Sequence, residues 1–150
     1  MNILLPPDCP YYLVSKVSLA VTSQLKKGFA RVGINNIKPA YLGVLLALWN
    51  EDGLKANELG KRAGLEPSTM TGLIDRMEQD YLVVRKDDPN DRRANRIFLT
   101  KKGVDAEKYA TKVVSTTLEK TFESISKKDI ETTKNVLRTI LINCRREELE

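Results

Sequence analysis

The feature that most constrains this chain is a change of apolar period near residue 81. Before it, apolar side chains recur at helical spacing, and after it they run as strands. A first short helix, about Lys55 to Ala63, turns Leu59 and Ala63 inward, and Gly64 supplies a tight turn. Pro67 fits the first turn of the next helix, whose buried face is Met70, Leu73, Ile74 and Met77. Its other face carries Ser68, Thr69, Thr71, Gly72, Asp75 and Arg76. Leu82 to Lys86 then reads as a strand, and Arg96 to Leu99 as its partner. Between them lie the turn-rich Asp87-Asp88-Pro89-Asn90-Asp91 and then Arg92 and Arg93. Two helices on a Gly-containing turn, followed directly by a hairpin with a charged tip, make a winged helix-turn-helix.

Long helices flank this lobe. Prolines 6, 7 and 10 make the start irregular. Leu13, Val17, Val21, Leu25 and Phe29 then recur every four residues until Gly33 and Asn35-Asn36 stop the stripe. Pro39 opens a helix whose spacing predicts Leu42, Leu45, Leu46 and Trp49 as its core face, ending over Asn50 to Gly53. Thr100 is an N-cap for a helix from Lys101 to about Ile125, with Ala106, Tyr109 or Ala110, Val113, Val114, Leu118 and Phe122 on one side. Ser126 with Asp129 resembles a capping box for a last helix, whose stripe is Ile130, Leu137, Ile140, Leu141 and Cys144.

The fold class is therefore mainly α (α+β). Residues 38–100 form the winged lobe, and residues 1–37 with 101–150 form a helical dimerisation region. A helix of about 25 residues spans about 37 Å, more than a lobe about 25 Å across can cover. Packing the terminal stripes against a second copy solves the problem and predicts a homodimer.

Composition removes whole classes of chemistry. The chain has no His, so imidazole-activated nucleophiles and imidazole metal sites are out. Its two Cys cannot supply a four-ligand zinc site, a CxxC redox pair or a disulfide framework. Asp87, Asp88 and Asp91 could suggest calcium, but an EF-hand loop beginning at Asp87 would need Gly and Glu where Arg92 and Phe98 stand. No paired acid and base stands out, so neither enzyme activity nor a cofactor is expected. With 41% apolar and 30% charged residues, the chain reads as soluble and globular. Its longest apolar stretch, Tyr41 to Trp49, is far short of the about 20 residues that span a bilayer. The start has no basic n-region, so no membrane association and a cytoplasmic location are expected.

The net charge of +5 is mild, but it is concentrated. Between residues 85 and 102, Arg85, Lys86, Arg92, Arg93, Arg96, Lys101 and Lys102 face only Asp87, Asp88 and Asp91. A local basic excess points to a specific anionic partner. Arginines gathered on a short tip could be an ordinary solvated hairpin, yet they repel one another unless anions oppose them. Ser68, Thr69 and Thr71 could simply serve the helix start. Trp49, Met70 and Met77 read as core.

The run DPNDRRANRIFLTKKG, residues 88–103, resembles the wing and following helix start of the MarR family of bacterial transcription regulators. The family's pattern of Asp-x-Arg, strand residues and Leu-Thr-x-x-Gly is met by Asp91, Arg93, Leu99, Thr100 and Gly103. LEPSTMTGLIDRME resembles the family's recognition helix, and the order of elements matches over nearly the whole chain. The resemblance implies a homodimer bound to double-stranded DNA at a pseudo-palindrome, with the recognition helix (about 67–80) in the major groove and the wing (about 86–97) in the minor groove. Arg93 would enter the minor groove, where a narrow A·T-rich stretch attracts a guanidinium. Ser68, Thr69, Thr71 and Arg76 would face the major groove or its phosphates. Lys38, Arg92, Asn95 and Arg96 would add backbone contacts. Asp91 would hold the wing in shape by pairing with a basic neighbour, and Asp75 would orient Arg76 or a wing arginine.

Two positions depart from the family. Gly72 stands where a larger, often basic side chain is common, and Tyr81 stands where Gly is common. Tyrosine resists the left-handed backbone a Gly would take, so the helix-to-strand corner is expected to differ there. The resemblance further implies a repressor released by a small organic effector, with Tyr12, Phe29, Tyr41 and Trp49 lining its pocket. Two other outcomes stay open. One is an oxidant-sensing regulator working through Cys9 near the N-terminus, with Cys144 as a packing residue. The other is a winged helix that binds protein rather than DNA.

Overall fold

The computed structural model of the chain describes residues 5–147. Among them, six α-helices and a three-stranded sheet follow in the order α1 (Pro10–Arg31), α2 (Leu42–Asn50), β1 (Leu54–Lys55), α3 (Ala56–Ala63), α4 (Pro67–Gln79), β2 (Val83–Asp88), β3 (Asp91–Leu99), α5 (Lys101–Thr121) and α6 (Lys127–Glu147). This is the winged-helix architecture that the change of period implies. The chain divides into two compact units, residues 1–117 and 118–150.

In the first unit, one core joins the C-terminal half of α1 to the winged lobe and to α5. Leu25 and Phe29 share it with Tyr41, Leu45, Leu59, Ile74, Met77, Leu82, Ile97, Ala110 and Val113. The buried face of α4 is Met70, Leu73, Ile74 and Met77, as its spacing predicts. The face of α2 differs from the sequence expectation. Leu42, Val44, Leu45 and Leu48 are buried, whereas Leu46 is exposed and Trp49 half-buried. Residues Pro39–Tyr41 form a 3-10 turn before α2 begins. A helix entered this way and buried on most of its circumference has no single clean stripe to read.

The sheet holds a strand that the hairpin pattern did not disclose. β3 is central, with β1 and β2 antiparallel on either side, and Leu54 pairs with Ile97. A two-residue strand is too short to show a period of two.

The corner between α4 and β2 is built on a left-handed residue, and that residue is Tyr81, with φ 60°. The corner thus takes the shape a Gly would give, against the sequence expectation. Neighbouring bonds fix it. Thr100 Oγ1 donates to the Tyr81 carbonyl at 2.6 Å, Leu82 N–H donates to the Met77 carbonyl at 3.0 Å, and Thr100 N–H donates to the Leu82 carbonyl at 3.0 Å. The same Thr100 hydroxyl accepts from Gly103 N–H at 3.0 Å, which makes it the N-cap of α5. Gly103 is required on steric grounds, because a Cβ there would lie 2.2 Å from the Leu82 carbonyl oxygen. The Gly103 carbonyl in turn accepts from Trp49 Nε1 at 2.9 Å.

In the second unit, Ser126 caps α6. Its hydroxyl accepts from Asp129 N–H at 3.0 Å and donates to the Asp129 carboxylate at 2.6 Å. On α6, Leu137, Ile140 and Leu141 are exposed, and Ile130 is half-buried.

Candidate nucleic-acid interface

Opposite the buried face of α4, Ser68, Gly72, Asp75 and Gln79 recur at helical spacing and form its outward stripe. Ser68 and Thr69 are exposed in the first turn, and neither hydroxyl is bonded among the described residues. The Thr71 hydroxyl donates back to the Pro67 carbonyl at 3.2 Å, which leaves its oxygen lone pairs turned to solvent. Arg76 is exposed and has no ion-pair partner among the described residues. Gly72 opens the space in which its guanidinium lies, with Arg76 Nη1 3.7 Å from the position of a Gly72 Cβ.

Asp75 does not pair with Arg76. Its carboxylate meets Arg85 of β2 at 2.7 Å. Arg85 also bonds Glu78 through Nη1 and donates to the Thr71 carbonyl through Nη2 at 3.3 Å. One strand arginine thus holds three groups along one side of α4. From the sequence, Arg85 belongs to the strand over residues 82–86 and to the basic stretch, with no partner assigned. The alternation of β2 could have placed it beside α4, but not against a particular acid.

The far end of α4 is tied down by Asp80. Its carboxylate accepts from the Tyr41 hydroxyl at 2.6 Å and lies 3.7 Å from Lys38 Nζ. Burial, and then the bond to Asp80, push the Tyr41 phenol up to about 12. Lys38 also sits over the Tyr41 ring, 5.6 Å from its centre. The lysine therefore stands where helix α2 is entered, next to the C-terminal end of α4.

The wing is more structured than a charged tip. Its turn is only Pro89-Asn90, because Asp88 and Asp91 are already paired strand residues. The next partners are Asp87 and Asn95, so β3 passes Arg92, Arg93 and Ala94 while β2 advances by one residue. These residues form a bulge, which bends a strand and re-aims its side chains. The Asp91 carboxylate accepts from Arg93 N–H at 2.9 Å, and this Asx-type bond opens the bulge. Asp91 therefore shapes the wing through the backbone and not through a basic side chain. Arg92, Arg93 and Asn95 are exposed, and their side chains bond to nothing among the described residues.

Arg96 stands apart from these. Its Nε donates to Asp88 at 3.2 Å and its Nη1 to the Gly53 carbonyl at 2.9 Å. Asp88 is buried within the wing, where it also accepts from Asn90 N–H at 2.9 Å and meets Lys55 at 3.5 Å. The Asn90 N–H bond and then the two cations hold its carboxyl below the usual carboxylate range. From the sequence, Asp88 falls in the turn and has no cation assigned. The signal that identifies it is the Asp-Pro-Asn order, since an Asp two residues before a free N–H accepts from it. Further along, Asp52 accepts from Leu99 N–H at 2.9 Å, and Gly53 (φ 70°) has the Phe98 ring where a side chain would stand. Backbone, acid and arginine thus fasten the base of the wing to the loop after α2.

The suggested pocket residues are less uniform. Phe29 and Tyr41 belong to the core, Trp49 is fixed on the Gly103 carbonyl, and Tyr12 is exposed. Cys9 is half-buried at the residue preceding α1, and Cys144 is exposed on α6. Among the described residues no group of acids and thiols has metal-site geometry, and no helix is long and apolar enough to cross a membrane.

The MarR family model matches residues 38–94, which run from Lys38 through α4 to the wing bulge. Over almost the whole chain, the organic hydroperoxide resistance transcriptional regulator of Bacillus subtilis (strain 168) is 31% identical across 130 residues, 87% of this chain and 85% of that one. The chain belongs to the MarR family. It is a MarR-type DNA-binding transcription regulator, and members of this family are not enzymes. The HTH-type transcriptional regulator TtmR of Methylorubrum extorquens (strain PA1) is 48% identical over 65 residues, so this chain spans 33% of that relative's length. Among solved structures, the transcriptional repressor CouR bound to a 23-mer DNA duplex superposes with a TM-score of 0.79 at 25% identity, over 94% of this chain and 98% of that one. The sequence-based MarR resemblance is thereby established, together with the winged-helix fold.

Proposed function

We propose that the protein is a homodimeric repressor that binds a pseudo-palindromic operator and is released by a small organic effector. The observation that carries the DNA part is the wing bulge. Among the described residues Arg92 and Arg93 are unpaired and exposed, while the nearest buried acid, Asp88, is neutralised by Arg96 and Lys55. Each wing would lay Arg93 in a minor groove. Helix α4 would place Ser68, Thr69, Thr71 and Arg76 against the adjoining major groove, with Lys38, Arg92 and Asn95 on phosphates. Arg96, engaged by Asp88 and Gly53, would serve the wing's shape more than the DNA. The DNA-bound repressor CouR supports this reading.

Homodimerisation is supported by apolar side chains left uncovered in the single chain. Tyr11, Leu13, Val14 and Val17 on α1, and Val136, Leu137, Ile140 and Leu141 on α6, are all exposed. Soluble monomers rarely expose rows of apolar side chains of this kind, and such rows mark surfaces that a partner covers. Residues 1–37 and 101–150 would thus dimerise, and residues 38–100 would read DNA. Tyr12 and Trp49 remain the accessible candidates for an effector site, with Phe29 and Tyr41 forming its floor. A regulator of this kind works in the cytoplasm.

The test is light scattering of the free protein, followed by anisotropy with a duplex selected by the protein from random DNA. The expected result is a dimer that binds one duplex, with affinity falling steeply as salt rises. A monomer whose DNA binding is weak and insensitive to salt would instead favour a protein-binding winged helix.

The Bacillus subtilis relative is named for organic hydroperoxide resistance, and this favours one second reading. Oxidation of Cys9 by a hydroperoxide, giving a sulfenic acid and an alcohol, would replace the organic effector as the signal. Peroxide should then release DNA from the wild type and not from Cys9→Ser. Equal retention of DNA by both would remove this reading.

A further inference from the structure

Helix α4 presents an acid on its outward stripe. Asp75 stands between Gly72 and Gln79, opposite Met70, Leu73, Ile74 and Met77, and Glu78 lies beside it. Any helix that approaches a duplex with this stripe carries a carboxylate toward phosphates, and like charges at close range oppose association. Yet the structure does not leave this acid free. Arg85, on β2 and outside the helix, bonds the Asp75 carboxylate at 2.7 Å, the Glu78 carboxylate, and the Thr71 carbonyl at 3.3 Å. Its guanidinium is only half-exposed, whereas Asp75 is largely exposed. A planar fork with five donors can hold several acceptors at once, which a lysine ammonium does less well.

We propose that Arg85 is a positioning residue for DNA recognition: it neutralises Asp75 and Glu78, draws Asp75 off the DNA-facing stripe, and sets α4 against β2 without itself contacting DNA. This rests on the reading of α4 as the recognition helix. It also has a consequence for specificity. A carboxylate freed from Arg85 could accept from the amino group of cytosine, so Arg85 keeps a cytosine-seeking acid out of base readout.

The experiment is a mutant cycle on the full-length protein. The probe is a duplex of about 30 bp, long enough for two half-sites one helical turn apart, selected by the wild type from random DNA. Arg85→Met should weaken binding about tenfold or more, because two uncompensated acids then face phosphates. In the Asp75→Asn/Glu78→Gln background, the same Arg85→Met change should cost less than about threefold. The triple variant should also keep the wild-type slope of log affinity against log salt, since each lost phosphate contact would lower that slope by about 0.9. Repeating the selection with Arg85→Met should enrich cytosine at a position the wild type does not select. Circular dichroism and thermal unfolding accompany each variant, and if Arg85→Met unfolds, the neutral polar Arg85→Gln takes its place in the cycle. An equal loss in both backgrounds, with a reduced salt slope in the triple variant, would make Arg85 a direct DNA contact and overturn the proposal. No salt-dependent binding by the wild type overturns the DNA reading as a whole, whereas normal wild-type binding without rescue overturns only this inference.

Discussion

Tyr81 shows how a single side chain can stand in a place its chemistry disfavours. A left-handed backbone costs a non-glycine residue about 1–2 kcal/mol, and the Thr100 bonds to residues 81 and 82 hold Tyr81 there. Glycine would relieve that strain while adding freedom to the unfolded chain. Tyr81→Gly is therefore expected to raise stability by a net of about 0.5 kcal/mol in urea unfolding, and a clear loss would show that the Tyr81 ring under Lys102 matters more than the backbone. Tyr41 gives a pH-dependent prediction. Its phenol is raised from 10.0 to about 12, so its contribution to stability is complete below pH 10 and is lost as pH climbs through 12. Urea midpoints should fall over that interval, and the fall should be shallower in Tyr41→Phe. These two residues also mark the limit of what the sequence discloses. Tyr81 could be recognised as a departure from Gly, but whether the corner would bend or the residue would submit depended on a hydroxyl 19 positions away.

At the scale of elements, helices were legible where one face is buried and one is wet. The stripe of α4 is readable residue by residue, and the caps at Thr100 and Ser126 follow from local chemistry. The face of α2 is not legible because the helix is covered on several sides, and β1 is not legible because two residues carry no period. The hairpin of the wing is legible, but its turn is narrower than the cluster at residues 87–91 suggests. Arg92 and Arg93 lie on a bulge whose existence depends on register, a property of two strands together. The bulge rests on Asp88, and this leads to an acid-side prediction. With its carboxyl held low, Asp88 supports the wing above the ordinary carboxylate range and ceases to do so as pH falls below it. Asp88→Asn should reproduce that loss at neutral pH. It leaves Arg96 and Lys55 without their shared anion, so amide hydrogen exchange of residues 83–99 should quicken while exchange in α1 stays unchanged. Unaltered wing exchange would mean that strand pairing alone holds the hairpin.

For the whole molecule, a basic excess that looked mild as a total gains meaning from its placement. Most of it lies on the wing and its flanks, and a two-fold dimer would present that patch twice. The absence of His, which removed imidazole chemistry at the outset, is consistent with a regulator whose work is binding. In such a dimer the two wings would be equivalent, so one substitution would remove two contacts from the complex. The most direct measurement is the salt dependence of affinity for the selected duplex, compared between wild type and Arg93→Ala. The expected result is a steep wild-type slope, a loss of about 1–3 kcal/mol per site in Arg93→Ala, and a slope reduced by about 2 for the two wings together. A shallow slope, or an Arg93→Ala protein that binds as tightly as the wild type, would contradict it.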